Sequence, residues 1–233
     1  MLRAMQSPPT ASIRTASART ASARTASART VFALVLALPV AACGGRCPET
    51  APAAATTSGG ERPMLLAEVD APESITVTLE GLGAGAELEE RHVANVFGCT
   101  GGNVSPAISW SGAPEGTRSF VLEVHDPDAP TGVGFFHWVV VDLPATTTAL
   151  PEGGSAALPE GALATRTDFG APGYGGPCPP PGPAHRYVFT VYALDTERLG
   201  VEEGASPAVV RFMLRGHALA VGRAVATFGF PAE

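Results

Sequence analysis

What most restricts the fold of this 233-residue chain is a recurrent alternation of short β-branched and aromatic runs with proline- and glycine-rich breaks. ITVTLE (75–80), AISWS (107–111), SFVLEVHD (119–126), HWVVVDL (137–143) and YVFTVYAL (187–194) have the length and side-chain type of strands. SGAPEGT, DPDAPTGVG and LPEGG, between or after them, carry residues that set turn dihedrals rather than extend a strand. With 22 prolines and 27 glycines, about a fifth of the chain, short strands and many turns are favoured over long helices. One stretch departs from this, SPAVVRFMLRGHALAVGRA (206–224). Ser206 can cap a helix, Pro207 suits its first position, and Val210, Met213, Leu214 and Ala218 recur at helical spacing. The expectation is a mainly β fold, an antiparallel β-sandwich with one or two peripheral helices, forming a single domain over 74–233.

The chain ahead of that domain reads as targeting. TASARTASARTASART (15–30) repeats every five residues, a period that fits neither a solenoid unit nor a heptad, so it is low-complexity sequence. VFALVLALPVAAC (31–43) follows, twelve apolar residues ending at a cysteine. That is too short for a membrane span of about 20 residues and suits a signal-peptide core. Val40-Ala41-Ala42-Cys43 looks like a bacterial lipobox, in which Cys43 is lipidated and becomes the first mature residue. Ordinary signal cleavage, with Cys43 an incidental thiol, is the alternative. Residues 1–42 are therefore read as a lipoprotein signal peptide and 43–73, rich in Gly, Ala, Pro and Thr, as a flexible tether. The placement this implies is the bacterial cell envelope, lipid-anchored at the outer membrane and facing the periplasm, with the membrane met through the anchor alone.

Charge narrows the partners. Residues 1–42 hold five arginines and no acid, so the remainder sets ten arginines against 22 acids, a charge of −12. An acidic body of this kind disfavours general binding to nucleic acid or to anionic lipid.

The chemistry-bearing residues gather in two places. HDPDAPTGVGFFHW (125–138) packs two histidines, two aspartates, two prolines and two glycines into a turn between strand-like runs. GPCPPPGPAHRY (176–187) places a histidine and an arginine after a proline-stiffened, glycine-bearing loop. The first alone fits a catalytic centre, a metal site, an anion pocket or a well-made turn.

Taken with HWVVVDLP (137–144), FGCTGGNVSPAISWSGAPEGTRSF (97–120) and the expected helix MLRGHALA (213–220), these motifs resemble, in order, the phosphatidylethanolamine-binding protein family in its bacterial Raf-kinase-inhibitor-like branch. The likeness runs from about 74 to 231. It implies a β-sandwich with a small pocket for anions such as phosphate groups, no enzymatic activity and no cofactor. Mapped onto this chain, Asp126, Asp128, His137 and His185 would line the pocket, with Arg186 and Tyr187 in the same motif and 176–180, including Gly176 and Cys178, as its backbone wall. Animal members carry a carboxy-terminal helix over the pocket, whereas this chain ends at TFGFPAE, which implies a more open entrance.

The residue chemistry is consistent with that pocket and leaves alternatives at several positions. A phosphate site needs backbone, imidazole or guanidinium donors. Carboxylates beside it make sense as acceptors that orient an imidazole and favour its charged form. Asp126 and Asp128 also suit turn-making, most evenly for Asp128. His137 and His185 stand as pocket residues or as satisfied structural histidines, and Arg186 as a pocket residue or a buried carboxylate partner. His125 and His217 read as structural, on strand and helix, and His92 as solvated. Pro127 is open between cis and trans. Cys99 and Cys178, in motif loops near the pocket, stand as a disulfide or as two free thiols.

Rival functions are weaker. His137 and His185 lie 48 residues apart without a familiar zinc signature. No Gly-x-Ser-x-Gly elbow occurs, and Cys178 sits among prolines. The reading is thus a membrane-tethered binding module for a small anionic or phosphorylated ligand, with a protein partner at the pocket mouth in reserve. The competing class is a peptidase or kinase inhibitor-like protein acting by docking.

Overall fold

A computed structural model describes residues 69–82 and 86–232. The expected signal peptide, Cys43 and the tether as far as residue 68 lie outside the described residues. The elements are β1 (Thr76–Leu79), β2 (Ile108–Ser111), β3 (Ser119–Asp126), β4 (Phe135–Pro144), β5 (Ala149–Leu150), β6 (Leu163–Ala164), β7 (His185–Leu194), α1 (Pro207–Leu214) and β8 (Ala218–Phe228). Two sheets form, a three-stranded one ordered β1-β2-β5 and a five-stranded one ordered β6-β4-β3-β7-β8. Every pairing between these strands is antiparallel. The described residues contain no helix long and apolar enough to cross a membrane.

The central strand explains the arrangement. All eight positions of β3 are buried, so SFVLEVHD shows no polar alternation. Phe120, Leu122 and Val124 face the cluster shared with Ile108 and Trp110 of the smaller sheet. Val121 faces the other way, into a second cluster with Val139, Val141 and Tyr192 beneath Val210 and Leu214 of α1. Glu123 points the same way and is fully buried. Its Oε2 accepts from Arg211 Nε at 3.0 Å and faces the Tyr192 hydroxyl at 3.4 Å. Burial raises the pKa of Glu123, and the Arg211 guanidinium opposes that shift. This pair ties α1 to the sheet.

Four expectations are corrected. The stretch 206–224 is not one helix: α1 begins at the Ser206 cap, whose hydroxyl accepts from Val209 N, and stops at Leu214, and β8 starts at Ala218. β7 decides this, because β8 pairs with it from Leu194↔Ala218 to His185↔Phe228 and so satisfies its outer backbone groups. The domain starts before residue 74, since Val69 is buried in the second cluster and Val221 N donates to Pro72 O at 2.9 Å. His92 is buried, its Nδ1 2.8 Å from Val104 O. His217 lies past the helix, its Nδ1 2.8 Å from Asp195 Oδ1. The peptide bond before Pro127 is trans.

Close approach of the chain start to β8 depends on one residue. A Cβ at Gly222 would overlap the Ile75 carbonyl, whose backbone cannot retreat. Gly222→Ala is therefore expected to cost about 1–3 kcal/mol, as overpacking does. A urea midpoint equal to that of the wild type would contradict this contact.

Candidate functional site

The site begins where β3 runs into its turn. Asp126 sits at the strand end, nearly fully buried, and both carboxylate oxygens are occupied. Oδ1 accepts from Asp128 N at 2.8 Å and Ala129 N at 3.0 Å, which builds the turn. Oδ2 accepts from Nδ1 of His185, the first residue of β7, at 2.7 Å. One side chain thus both shapes the turn and orients an imidazole across two strands.

Asp128 and Arg186 form a second pair, outside the lining of the cavity. The Arg186 guanidinium grips Asp128 through Nε to Oδ2 at 2.9 Å and Nη2 to Oδ1 at 3.0 Å, and the Arg186 backbone N–H donates to Oδ2 at 3.0 Å. The Asp128 side chain is only 2% exposed. The pair staples the turn after β3 to the start of β7 and so fixes the spacing of Asp126 and His185.

His137 comes from β4 and is locked by its neighbour 38 residues on. Nδ1 lies 2.7 Å from Gly175 O, and Gly175 N donates back to His137 O at 2.8 Å. Gly175 must be glycine here, since a Cβ would overlap the Phe169 ring. The imidazole packs against Tyr187, Phe135 and Phe169, with centroids 5.1, 5.2 and 5.4 Å away. Burial lowers the His137 pKa below the usual histidine range, outweighing the Gly175 carbonyl and the Asp126 and Asp168 charges that raise it. Burial, reinforced by Asp126, pushes the Tyr187 hydroxyl pKa up, so the hydroxyl stays protonated. That hydroxyl is buried without a hydrogen-bond partner in the described protein. An unsatisfied buried hydroxyl costs about 1–3 kcal/mol, which an acceptor in the cavity would relieve.

These groups surround a cavity of about 150 Å³. Of the residues expected to line it, Asp126, His137, Cys178, His185 and Tyr187 do so, with Pro179 and Pro180 as the loop wall. Asp128, Gly176 and Arg186 do not line it. Asp128 and Arg186 saturate each other, and Gly176 N is turned to Asn103 Oδ1 at 2.8 Å. Sequence reasoning missed Phe97, Phe135 and Phe169, the aromatic part of the wall. Phe135 was recoverable, since it shares the face of His137 two positions on along β4. Phe169 carries no local signal. A disulfide joins Cys99 to Cys178 and ties the Phe97 loop to the wall. Beyond the mouth a groove of about 830 Å³ continues along Phe97, Pro130, Pro179, Pro180 and Phe230. Among the described residues no three His, Cys, Asp or Glu side chains converge as metal ligands.

Comparison with known proteins gives a consistent set of matches. The family model described as Phosphatidylethanolamine-binding protein matches residues 83–229. YbhB of Escherichia coli K12 is 54% identical over 147 residues, covering 62% of this chain and 93% of YbhB. YbcL of the same organism is 48% identical over 149 residues, covering 62% of this chain and 81% of YbcL. The crystal structure of E. coli YbcL, described as a new member of the mammalian PEBP family, aligns with a TM-score of 0.64 at 45% identity, over 67% of this chain and 98% of that one. A Chlamydia trachomatis structure described as a PEBP homolog aligns with a TM-score of 0.58 at 31% identity, over 67% and 97% of the two chains.

Proposed function

This chain belongs to the phosphatidylethanolamine-binding protein family, and from that premise we propose that it is a binding module, not an enzyme, whose cavity holds a small oxyanion such as a phosphate group. We further propose that lipidated Cys43 tethers it in a bacterial envelope, where the ligand is a phosphorylated small molecule or headgroup. The observation that carries the reading is the Asp126–His185 pair beside Tyr187, all three lining one cavity. The cavity volume, about 150 Å³, compares with about 30 Å³ per liquid water. It suits one compact polar group. Exposed Phe97 and Val96, 75% and 47% accessible near the mouth, favour a protein partner docking there as a second reading.

With Nδ1–H of His185 committed to Asp126, its Nε2 donates to an anion only when the ring is an imidazolium. Asp126 faces that ring, and Tyr187 and His137 share the cavity. Affinity for inorganic phosphate or O-phosphorylethanolamine is measured by calorimetry at pH 6. A charge-assisted bond contributes about 1.5–3 kcal/mol, so His185→Ala should weaken binding about ten- to hundredfold at pH 6. Asp126→Asn should behave differently. Two backbone N–H groups hold its oxygen, so the new amide donates to His185 Nδ1 and moves the ring proton to Nε2. Binding should then persist. Wild-type affinity in His185→Ala would remove the reading. Binding of ethanolamine without any response to phosphate would make the cavity an amine site instead.

A further inference from the structure

We propose that the cavity accepts only oxyanions that still carry a proton, and so separates phosphate and phosphomonoesters from sulfate and sulfate esters, with His137 as the specificity-determining acceptor. This rests on the oxyanion reading above and goes beyond it by fixing the ligand's protonation and class.

The tautomer of His137 follows from geometry. A carbonyl oxygen can only accept, so the 2.7 Å contact between Nδ1 and Gly175 O requires the hydrogen on Nδ1. The reverse backbone bond from Gly175 N to His137 O keeps the Gly175 carbonyl beside the ring, so turning the ring over would forfeit the Nδ1 bond. In the neutral ring Nε2 then carries a lone pair. His137 is 4% exposed, and burial among Phe135, Phe169 and Tyr187 favours its neutral form against the pull of the Gly175 and Gly176 carbonyls, Asp126 and Asp168. His125, a further histidine near the ring, is itself held neutral, its pKa pushed down to about 4 by burial and by Arg211.

The cavity therefore presents a mixed pattern to its ligand. Tyr187 offers a donor, His185 a donor when protonated, and His137 an acceptor. No lysine or arginine lines the wall to outweigh this. An oxyanion without hydrogen would set an oxygen lone pair against the His137 lone pair. One P–O–H turns that repulsion into a hydrogen bond. Phosphate and phosphomonoesters keep such a hydrogen near their second pKa, about 6 for a phosphomonoester. Sulfate and its esters have none to offer at that pH. Sites built to hydrogen-bond a ligand hydroxyl discriminate strongly against analogues that lack it.

The test uses the full chain and two matched pairs, inorganic phosphate with sulfate and phenyl phosphate with phenyl sulfate, titrated by calorimetry at pH 6 and constant ionic strength. The expected result is at least tenfold weaker binding of each sulfur compound. His137→Asn retains an amide N–H for Gly175 and deletes the Nε2 acceptor, so its phosphate-to-sulfate ratio should fall toward one. Should that variant fail to fold, the wild-type ratio alone decides. Equal wild-type binding of phosphate and sulfate overturns this inference while leaving the oxyanion site intact. No binding of any of the four overturns both.

Discussion

Arg186→Met is expected to destabilise the domain by about 3–5 kcal/mol, the scale seen when one partner of a buried ion pair is removed. Asp128 loses both guanidinium bonds, the backbone N–H of residue 186 remains, and its side chain stays 2% exposed. Methionine matches the length of the arginine stem, so the loss is electrostatic rather than a cavity. Without the Arg186 guanidinium the buried carboxylate favours its neutral form more, so its folded pKa lies higher than in the wild type. The sign then follows. The deficit should be largest at pH 7 and shrink as pH falls toward 4, where Asp128 protonates in both states. Urea unfolding at the two pH values measures this as a midpoint shift without change of slope. The double variant Arg186→Met/Asp128→Asn should regain part of the loss. A midpoint unmoved at pH 7 would mean that the pair is only a surface contact. Phosphate affinity should fall as well, although neither residue touches the cavity, because the pair sets the distance between Asp126 and His185.

That pair also marks a limit of sequence reading. Asp126 and Asp128 flank one proline, and nothing local says which carboxylate faces the cavity. The choice is made by β7, which brings His185 to the first and Arg186 to the second. β3, β4 and β7 were legible because burial on both faces leaves continuous apolar runs that need only be long enough. β8 was not, since its alanines, valines and glycine satisfy helical and extended patterns alike. Only the open edge of β7 tells them apart. The two-residue strands β5 and β6 exist through their partners, Ile108–Ser109 and Val140–Val141, and have no pattern to read. The same holds within the site. Its histidines and aspartate announce themselves by residue type, but Phe169 reaches the wall from a loop whose course is set by Gly175 closing on His137.

Loss of the Cys99–Cys178 bridge should have the other large effect, about 4.5 kcal/mol for a loop of 79 residues on the chain-entropy scale. The bridge joins the loop carrying Phe97 to the wall carrying Pro179 and Pro180, and no regular element otherwise spans that junction. Two consequences separate this from generic destabilisation. First, the crosslink acts on the unfolded chain, so the Cys99→Ser/Cys178→Ser variant should show a steeper urea slope as well as a lower midpoint, because its unfolded state exposes more surface. Second, the effect inside the folded state should be local. Phe97 stacks on Phe169 with centroids 5.7 Å apart, and Phe169 packs on the His137 ring, so freeing the Phe97 loop loosens one aromatic wall. Amide exchange should accelerate in the loop around Phe97 and Cys99 while the paired amides of β3 and β7 keep protection in proportion to the remaining stability. Midpoints that coincide for the wild type and the double serine variant would mean that the bridge contributes nothing to folding. Exchange that quickens evenly across β3 and the Phe97 loop would mean that it acts on the fold as a whole rather than on the rim of the cavity.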